Sequence, residues 1–160
     1  MANTKLKVGD KAPEFSLPDT NENEISSNDL KGKWLVLYFY PKDNTPGCTV
    51  EAIDFTAKIK EFANLNATVV GVSPDSCKSH QNFTQKHHLK VNLLSDPVKI
   101  TLQDYGVWRE KSMFGKKYMG IVRTTYLVNP NGKIAAIWPK VKVKGHSEEV
   151  LNKLKELHTK

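Results

Sequence analysis

The run Trp34-Leu-Val-Leu-Tyr-Phe-Tyr40 and the turn after it, Pro41-Lys-Asp-Asn-Thr45-Pro46-Gly47-Cys48-Thr49, decide the reading of this chain. Seven apolar or aromatic residues without a break mark a strand covered on both faces, as in a parallel sheet. After the turn the period changes. Cys48, Ala52, Phe55, Ile59 and Phe62 fall four, three, four and three residues apart, one stripe on a 3.6-residue helix. Thr45 and Pro46 form a helix start, an oxygen-bearing cap followed by proline in the first turn. Cys48 therefore lies in or near that turn, where unpaired N–H groups and the positive end of the helix dipole favour a thiolate. An ordinary thiol, with a pKa of about 8.5, is only a few per cent ionised at neutral pH, so such a position yields more nucleophile. The competing reading of the same residue is a small thiol buried in the core.

The rest of the chain bounds what such a cysteine can belong to. At 160 residues one domain, 1–160, with a single sizeable core is expected. A composition that is 39% hydrophobic and 26% charged is that of a soluble globular protein. No apolar run approaches the ~20 residues of a membrane span, and the start, Met1-Ala-Asn-Thr-Lys-Leu-Lys-Val-Gly-Asp10, lacks the apolar core of a secretory signal. Two cysteines 29 residues apart are not a disulfide framework, so a reducing, cytoplasmic location is expected. The net charge of +7 rests on 24 basic residues, 22 of them lysines scattered along the chain. The densest cluster, Lys140-x-Lys142-x-Lys144, alternates like a strand end or solvated loop. No zinc-finger, RNA-recognition or helix-turn-helix pattern accompanies it. Specific nucleic-acid binding is not expected, only weak, salt-sensitive attraction to polyanions.

Along the chain, residues 11–26 hold two short extended pieces around a polar turn, an N-terminal hairpin. Ser27-Asn-Asp-Leu30 reads as a helical turn closed by Gly32. Strand 34–40 and a helix over 46–64 follow, then a buried strand Ala67–Ser73 and a helix over about 76–88 capped by Pro74-Asp-Ser76. A short strand near Val91–Leu94 leads to a helix over about 98–105. Trp108 to Met119 reads as irregular and lysine-containing. Strands Thr124–Val128 and Lys133–Trp138 flank Asn129-Pro-Asn-Gly132, a hairpin signal, and an amphipathic helix runs over about 146–158. The order βαβα then ββα is a mixed α/β sheet of thioredoxin-like arrangement. Cys48 has no Cys-x-x-Cys partner, which disfavours thioredoxin itself.

Pro41-x-x-x-Thr45-x-x-Cys48 after an apolar strand resembles the active-site loop of the peroxiredoxins. The longer string Tyr38 to Glu51 is similar to their Q-type, or bacterioferritin-comigratory, subfamily. Three further segments agree in order: Gly9-Asp-Lys-Ala-Pro-Glu-Phe-Ser-Leu-Pro18, Gly71-Val-Ser-Pro-Asp-Ser76 with Ser79-His80, and Arg123-Thr-Thr-Tyr-Leu-Val128. The resemblance implies a thioredoxin-like fold carrying the N-terminal hairpin and a peroxiredoxin-type insertion over 74–105. It also implies a thiol peroxidase without cofactor or metal, acting on hydrogen peroxide and organic hydroperoxides. The reductant it implies is thioredoxin, glutaredoxin or glutathione, and the state a monomer or weak dimer.

By the same resemblance Cys48 is the nucleophile that passes to a sulfenic acid, and Thr45 positions the peroxide, while its bland role is the helix cap. Pro41 ends the strand and shields the pocket. Arg123 stands in an otherwise uncharged, strand-like segment of a chain with only two arginines. A guanidinium stays charged when buried and offers a rigid fork of donors, suited to a thiolate and peroxide oxygens. Pairing with a carboxylate is its alternative use. Glu51 is placed to orient Arg123 or the loop.

Cys77 departs from the pattern. The resemblance puts a resolving cysteine five residues after Cys48, where Ile53 stands, or after the aromatic of the Ser-His-x-x-Phe segment, where Thr84 stands. Cys77 lies seven residues, about two helical turns or ~10 Å, before Thr84. A disulfide needs Cα atoms within ~7 Å, so a bond to Cys48 asks the first helix to fray. The reading favours a one-cysteine mechanism with an external thiol and leaves Cys77 as the alternative resolving thiol. Cys77-x-x-His80 with His87-His88 is half a zinc pattern with no second cluster to complete it, and His80 reads as a helix residue bonding locally or packing near the first helix. Two non-enzymatic readings stand beside the peroxidase: a thioredoxin-fold redox sensor and a basic polyanion-binding module.

Overall fold

The computed structural model describes residues 6–158, so half of the Met1–Asp10 stretch, read for a leader, lies outside it. The N-terminal hairpin is β1 (Ser16–Pro18) against β2 (Glu24–Ser26). A 3-10 turn at Ser27–Leu30 comes after it. Its Ser26 cap and Asp29 exchange side-chain-to-backbone bonds as a capping box.

Strand β3 (Trp34–Phe39) leads into α1 (Pro46–Ala57) and α2 (Ile59–Asn64). Strand β4 (Ala67–Ser73), helix α3 (Cys77–His87), strand β5 (Asn92–Ser95) and helix α4 (Ile100–Asp104) come next. Beyond them lie β6 (Trp108–Met113), β7 (Lys116–Ile121), β8 (Thr124–Val128), β9 (Ile134–Trp138) and α5 (His146–His158). The main sheet has the order β5-β4-β3-β8-β9. β3 runs parallel to β4 and antiparallel to β8. This is the thioredoxin-like α/β arrangement expected from the order of elements.

The unbroken apolar run of β3 is explained by its central place. Val36, Tyr38 and Tyr40 join Phe55, Phe62, Phe83, Val150, Leu151 and Leu154 in a core under the helices of one face. Leu35, Leu37 and Phe39 join Phe15, Leu17, Leu102, Tyr105 and Tyr126 on the other. Alternate side chains thus enter two different cores, and neither face is left for polar residues.

Two expectations are corrected. Residues 108–119, read as irregular, lie in a regular antiparallel hairpin, β6 with β7, separate from the main sheet. Its turn residues Phe114 and Gly115 both have positive φ, 53° and 79°, the geometry that matches strand twist in a two-residue turn. The strands carry little burial and Phe114 is 97% exposed, so no apolar alternation marks them. The single helix expected over 46–64 is interrupted at Lys58, whose N–H bonds back to Phe55 rather than four residues away. At this break the Thr56 hydroxyl accepts the N–H of Lys90. The apolar stripe survives it, with Phe55 and Phe62 both fully buried.

Gly71 of β4 pairs with Tyr38 of β3. A Cβ at Gly71 would lie 2.6 Å from the ring carbon Cζ of Tyr38. That ring is fully buried and stacked on Phe55 at 4.9 Å and Tyr40 at 5.6 Å, so it has nowhere to retreat. Gly71→Ala is expected to destabilise the protein by about 1–3 kcal/mol, the usual cost of overpacking, as a lower denaturant midpoint with unchanged m.

Candidate active site

Because β3 is buried on both faces, its chemistry appears at its C-terminal end. The antiparallel register pairs Phe39 with Thr124, so the residue before Thr124, Arg123, is delivered beside the turn after β3. In that turn Asn44 has a left-handed φ of 62°. Thr45 is the N-cap of α1, and its carbonyl accepts the N–H of Thr49 at 2.9 Å. Pro46 occupies the first helical position, where its missing N–H costs nothing. Cys48 is two residues further on and 1% exposed.

The guanidinium of Arg123 reaches two groups on α1. Its Nη2 donates to Cys48 Sγ at 3.3 Å and its Nη1 donates to Glu51 Oε1 at 2.6 Å. Cys48 and Glu51 are three residues apart, neighbours on one helix face, which is why one planar fork meets both. The approach depends on Gly47, since a Cβ there would lie 3.1 Å from Nη2. The Arg123 side chain is 18% exposed, so one side of the site is open to solvent.

Electrostatics at this corner are tightly opposed. Glu51 is 2% exposed, and burial pushes its carboxyl up to about 7 against the pull of Arg123. Burial also works against the charge on Arg123, but Glu51 and Cys48 outweigh it and raise its pKa. Tyr38 lies beneath. Burial, then Glu51 and Cys48, push its hydroxyl well above the ordinary range. The Tyr38 hydroxyl and Glu51 Oε2 are buried without a hydrogen-bond partner among the described residues.

Thr45 is placed next to the cysteine turn, but its hydroxyl does not cap the helix. It donates to the Lys42 carbonyl at 2.8 Å. Its lone pairs remain available to accept. Pro41, partly buried, comes directly after the β3 run. Arg109 is on the surface and donates to the Gly106 carbonyl at 2.6 Å.

Cys77 is not brought into this group. It is half-buried and lines an open cavity of about 400 Å³ with Thr20 and Glu22 of the first hairpin and with Ser95 and Pro97. Burial, then repulsion from Glu22 and Asp19, raises its thiol pKa. His80, three residues on, has different surroundings. Rather than bonding locally, it is fully buried, with Nδ1 2.7 Å from Asp43 Oδ2 and Nε2 3.0 Å from the Leu94 carbonyl. Asp43, Asp75 and His80 are close enough to suggest metal ligands. However, protein donors already occupy the Asp43 oxygens and Asp75 Oδ2. Sequence reasoning gave no role to Asp43 or Gly47 and did not join His80 to Asp43. Only Gly47, a glycine in a helical first turn, carried a local signal of close approach.

Known proteins resemble this chain over nearly its whole length. The sequence profile of the AhpC/TSA family matches residues 8–137. The chain belongs to that family and, within it, to the peroxiredoxins of the Q or bacterioferritin-comigratory type, which are thiol peroxidases. It is 45% identical over 155 residues to peroxiredoxin Bcp of Bacillus subtilis, covering 97% of this chain and 99% of that one. The structure of a cysteine-to-serine variant of peroxiredoxin Q from Xylella fastidiosa has a TM-score of 0.92 at 40% identity, covering 99% and 100% of the two chains. The bacterioferritin comigratory protein of Xanthomonas campestris, described as having alkyl peroxide reduction activity, has a TM-score of 0.88 at 39% identity, covering 98% and 99%.

The raised carboxyl of Glu51 has a consequence for stability. Its pKa is 4.5 ordinarily and about 7 in the folded protein. Between those values the folded state holds a proton that the unfolded state has lost, so stability falls as pH rises through this window and levels off above about 7. Glu51→Gln removes the titration. Denaturant titrations of both proteins from pH 4 to 8 should show the wild type losing stability relative to the variant across that window. A constant difference would mean that the carboxyl is not shifted.

Proposed function

We propose that Cys48 is the nucleophile of a peroxidase cycle that reduces hydrogen peroxide and alkyl hydroperoxides. The observation that carries this reading is the contact of the Arg123 guanidinium with Cys48 Sγ, because a fixed cation on sulfur favours the thiolate. The thiolate attacks one peroxide oxygen in line with the O–O bond. An S–O bond forms, the O–O bond breaks, and the leaving oxygen departs as an alkoxide or hydroxide that takes a proton to become alcohol or water. Arg123 holds a charge that moves from sulfur to oxygen, so its donors serve the transition state as well as the ground state. The Thr45 hydroxyl, with its proton committed to Lys42, accepts the O–H of the hydroperoxide and so aligns it. Pro41 closes the turn above, and Glu51 fixes the plane of the guanidinium.

The sulfenic acid is then resolved by an external thiol of the glutathione, glutaredoxin or thioredoxin kind. That thiol forms a mixed disulfide with loss of water, and a second thiol releases reduced Cys48. The raised pKa of the Cys77 thiol and its place in a different cavity support this one-cysteine course, since a poorly ionised thiol attacks slowly. Two free cysteines fit a reducing cytoplasmic setting. No helix among the described residues is long and apolar enough to cross a membrane.

Cys48→Ser is expected to abolish peroxide consumption with the fold retained, because a neutral hydroxyl is a far weaker nucleophile. Substantial turnover by the serine variant would refute Cys48 as the reacting group. Arg123→Lys should slow oxidation of Cys48 by ten- to a thousandfold, about 1.4–4 kcal/mol, because a point charge replaces the fork. Stopped-flow oxidation by hydrogen peroxide measures it, and an unchanged rate would make Arg123 structural.

Cys77→Ser should leave oxidation of Cys48 fast and cycling with glutathione intact. Intact mass after one equivalent of peroxide should show a single added oxygen or a mixed disulfide. A loss of two hydrogens, with faster migration on a non-reducing gel, would show instead that Cys77 resolves the sulfenic acid.

A further inference from the structure

The turn that delivers Cys48 is anchored on the side away from the sulfur. Asp43 lies at its centre and is 5% exposed. Its Oδ1 accepts from the Tyr40 hydroxyl at 2.6 Å. Its Oδ2 accepts from the Ser79 hydroxyl at 2.7 Å and lies 2.7 Å from His80 Nδ1. The other ring nitrogen, Nε2, faces the Leu94 carbonyl at 3.0 Å. A carbonyl only accepts, so Nε2 carries a proton. The contact between Nδ1 and Oδ2 is short, within the range of a strong hydrogen bond. The backbone N–H of Asp43 is held as well, donating to Asp75 Oδ2 at 2.8 Å, and that oxygen also accepts from the Ser73 hydroxyl.

These bonds join the turn to two elements that carry no reacting group, the end of β4 and the first turns of α3. The neighbouring residues are the ones the chemistry uses. The Lys42 carbonyl receives the Thr45 hydroxyl, and the left-handed Asn44 carries the chain from Asp43 to Thr45. Burying a polar cluster of this kind is a poor route to stability alone, since apolar residues of similar volume serve as well or better. What the pair provides is a fixed direction, because both partners are locked in angle as well as distance.

We infer that Asp43, clamped by His80, Ser79 and Tyr40, is a positioning residue for the peroxide step, through which helix α3 sets where Thr45 and Cys48 stand. The inference rests on Cys48 being the nucleophile. It concerns alignment of the peroxide rather than availability of the thiol. A misplacement of about 1 Å is enough to slow an aligned displacement by roughly a hundredfold.

The test separates alignment from thiol reactivity. Asp43→Asn keeps the shape of the side chain and removes its charge, His80→Gln removes the ring, and Ser79→Ala removes one donor at the edge of the cluster. For each folded variant two rates are measured at one pH: oxidation of Cys48 by hydrogen peroxide and alkylation of Cys48 by iodoacetamide, which needs no alignment by Thr45. Asp43→Asn and His80→Gln should slow oxidation by roughly ten- to a hundredfold while alkylation stays within about threefold. Because the two residues act as one unit, the double variant should be no slower than the worse single one. Ser79→Ala should give a smaller loss of the same kind, and it decides the matter if the first two fail to fold. Equal slowing of both rates, or no slowing of oxidation, would overturn the inference. Peroxide consumption by Cys48→Ser would instead remove the reading on which it rests.

Discussion

A strand buried on both faces can present chemistry only at its ends, and β3 is such a strand. Leu35, Leu37 and Phe39 are committed to one core and Val36, Tyr38 and Tyr40 to the other. The chain after Tyr40 must therefore turn at the edge of the packed interior. The parallel pairing with β4 and the antiparallel pairing with β8 then bring three chain segments to the same place: the turn after β3, the connection from β4 to α3, and the residue before β8. Cys48, Asp75 and Arg123 come from these three segments. The positions of the reacting groups follow from register, and register follows from the need to bury every side chain of the central strand.

The electrostatics of the corner are those of one cation shared between a carboxyl and a thiol in a desolvated place. If Arg123 served Cys48 alone, its charge would be uncompensated beside a thiol. If it served Glu51 alone, the sulfur would lie in the field of a buried carboxylate. The short contact to Glu51 and the longer one to Cys48 divide the guanidinium between them. With the Glu51 carboxyl lifted to about 7, the division is sensitive to pH near neutrality. Protonation of Glu51 leaves more of the positive field to the sulfur, and ionisation draws it away. The carboxylate orients the fork and competes with it at the same time.

Much of this was legible in the sequence because it is written in local patterns. The seven-residue apolar run, the stripe from Cys48 to Phe62, the Thr-Pro helix start and the Asn129-Pro-Asn-Gly132 turn each have a local cause, and the elements stand where those causes put them. The β6–β7 hairpin was not legible because its strands bury little and its Phe114-Gly115 turn lacks the asparagine-glycine signature. The break at Lys58 falls where Thr56 receives a bond from Lys90, 34 residues away, and no local pattern records that. Around the site, the motif named Cys48, Thr45, Arg123 and Glu51; Arg123 contacts Cys48 and Glu51, but the orientation of Thr45 was not foreseeable. Its hydroxyl chooses between the helix N–H groups and the Lys42 carbonyl, a matter of turn geometry. The contact of Asp43 with His80 spans 37 residues. Either residue alone reads as a surface carboxylate or a helix histidine, and only the fold reveals the pair.

Helix α3 shows why the second cysteine stands apart. Cys77 and His80 are separated by three residues, yet one faces the cavity beside the first hairpin while the other is buried against Asp43. If the bond to Cys48 were reached by unwinding the first turn of α3 rather than by fraying α1, it would release the Ser76 cap that holds the Ser79 N–H and the contacts of His80 with Asp43 and Leu94. Loss of a buried hydrogen bond to a carboxylate costs about 1.5–3 kcal/mol, and loss of a serine cap about 1 kcal/mol more. That sum is a large share of the roughly 5–15 kcal/mol by which a domain is stable, and it would be incurred beside the very turn that holds the nucleophile. An incoming thiol from solvent would leave these α3 contacts in place. The packing of α3 against the cysteine turn therefore weighs on the side of the external thiol in the proposed cycle.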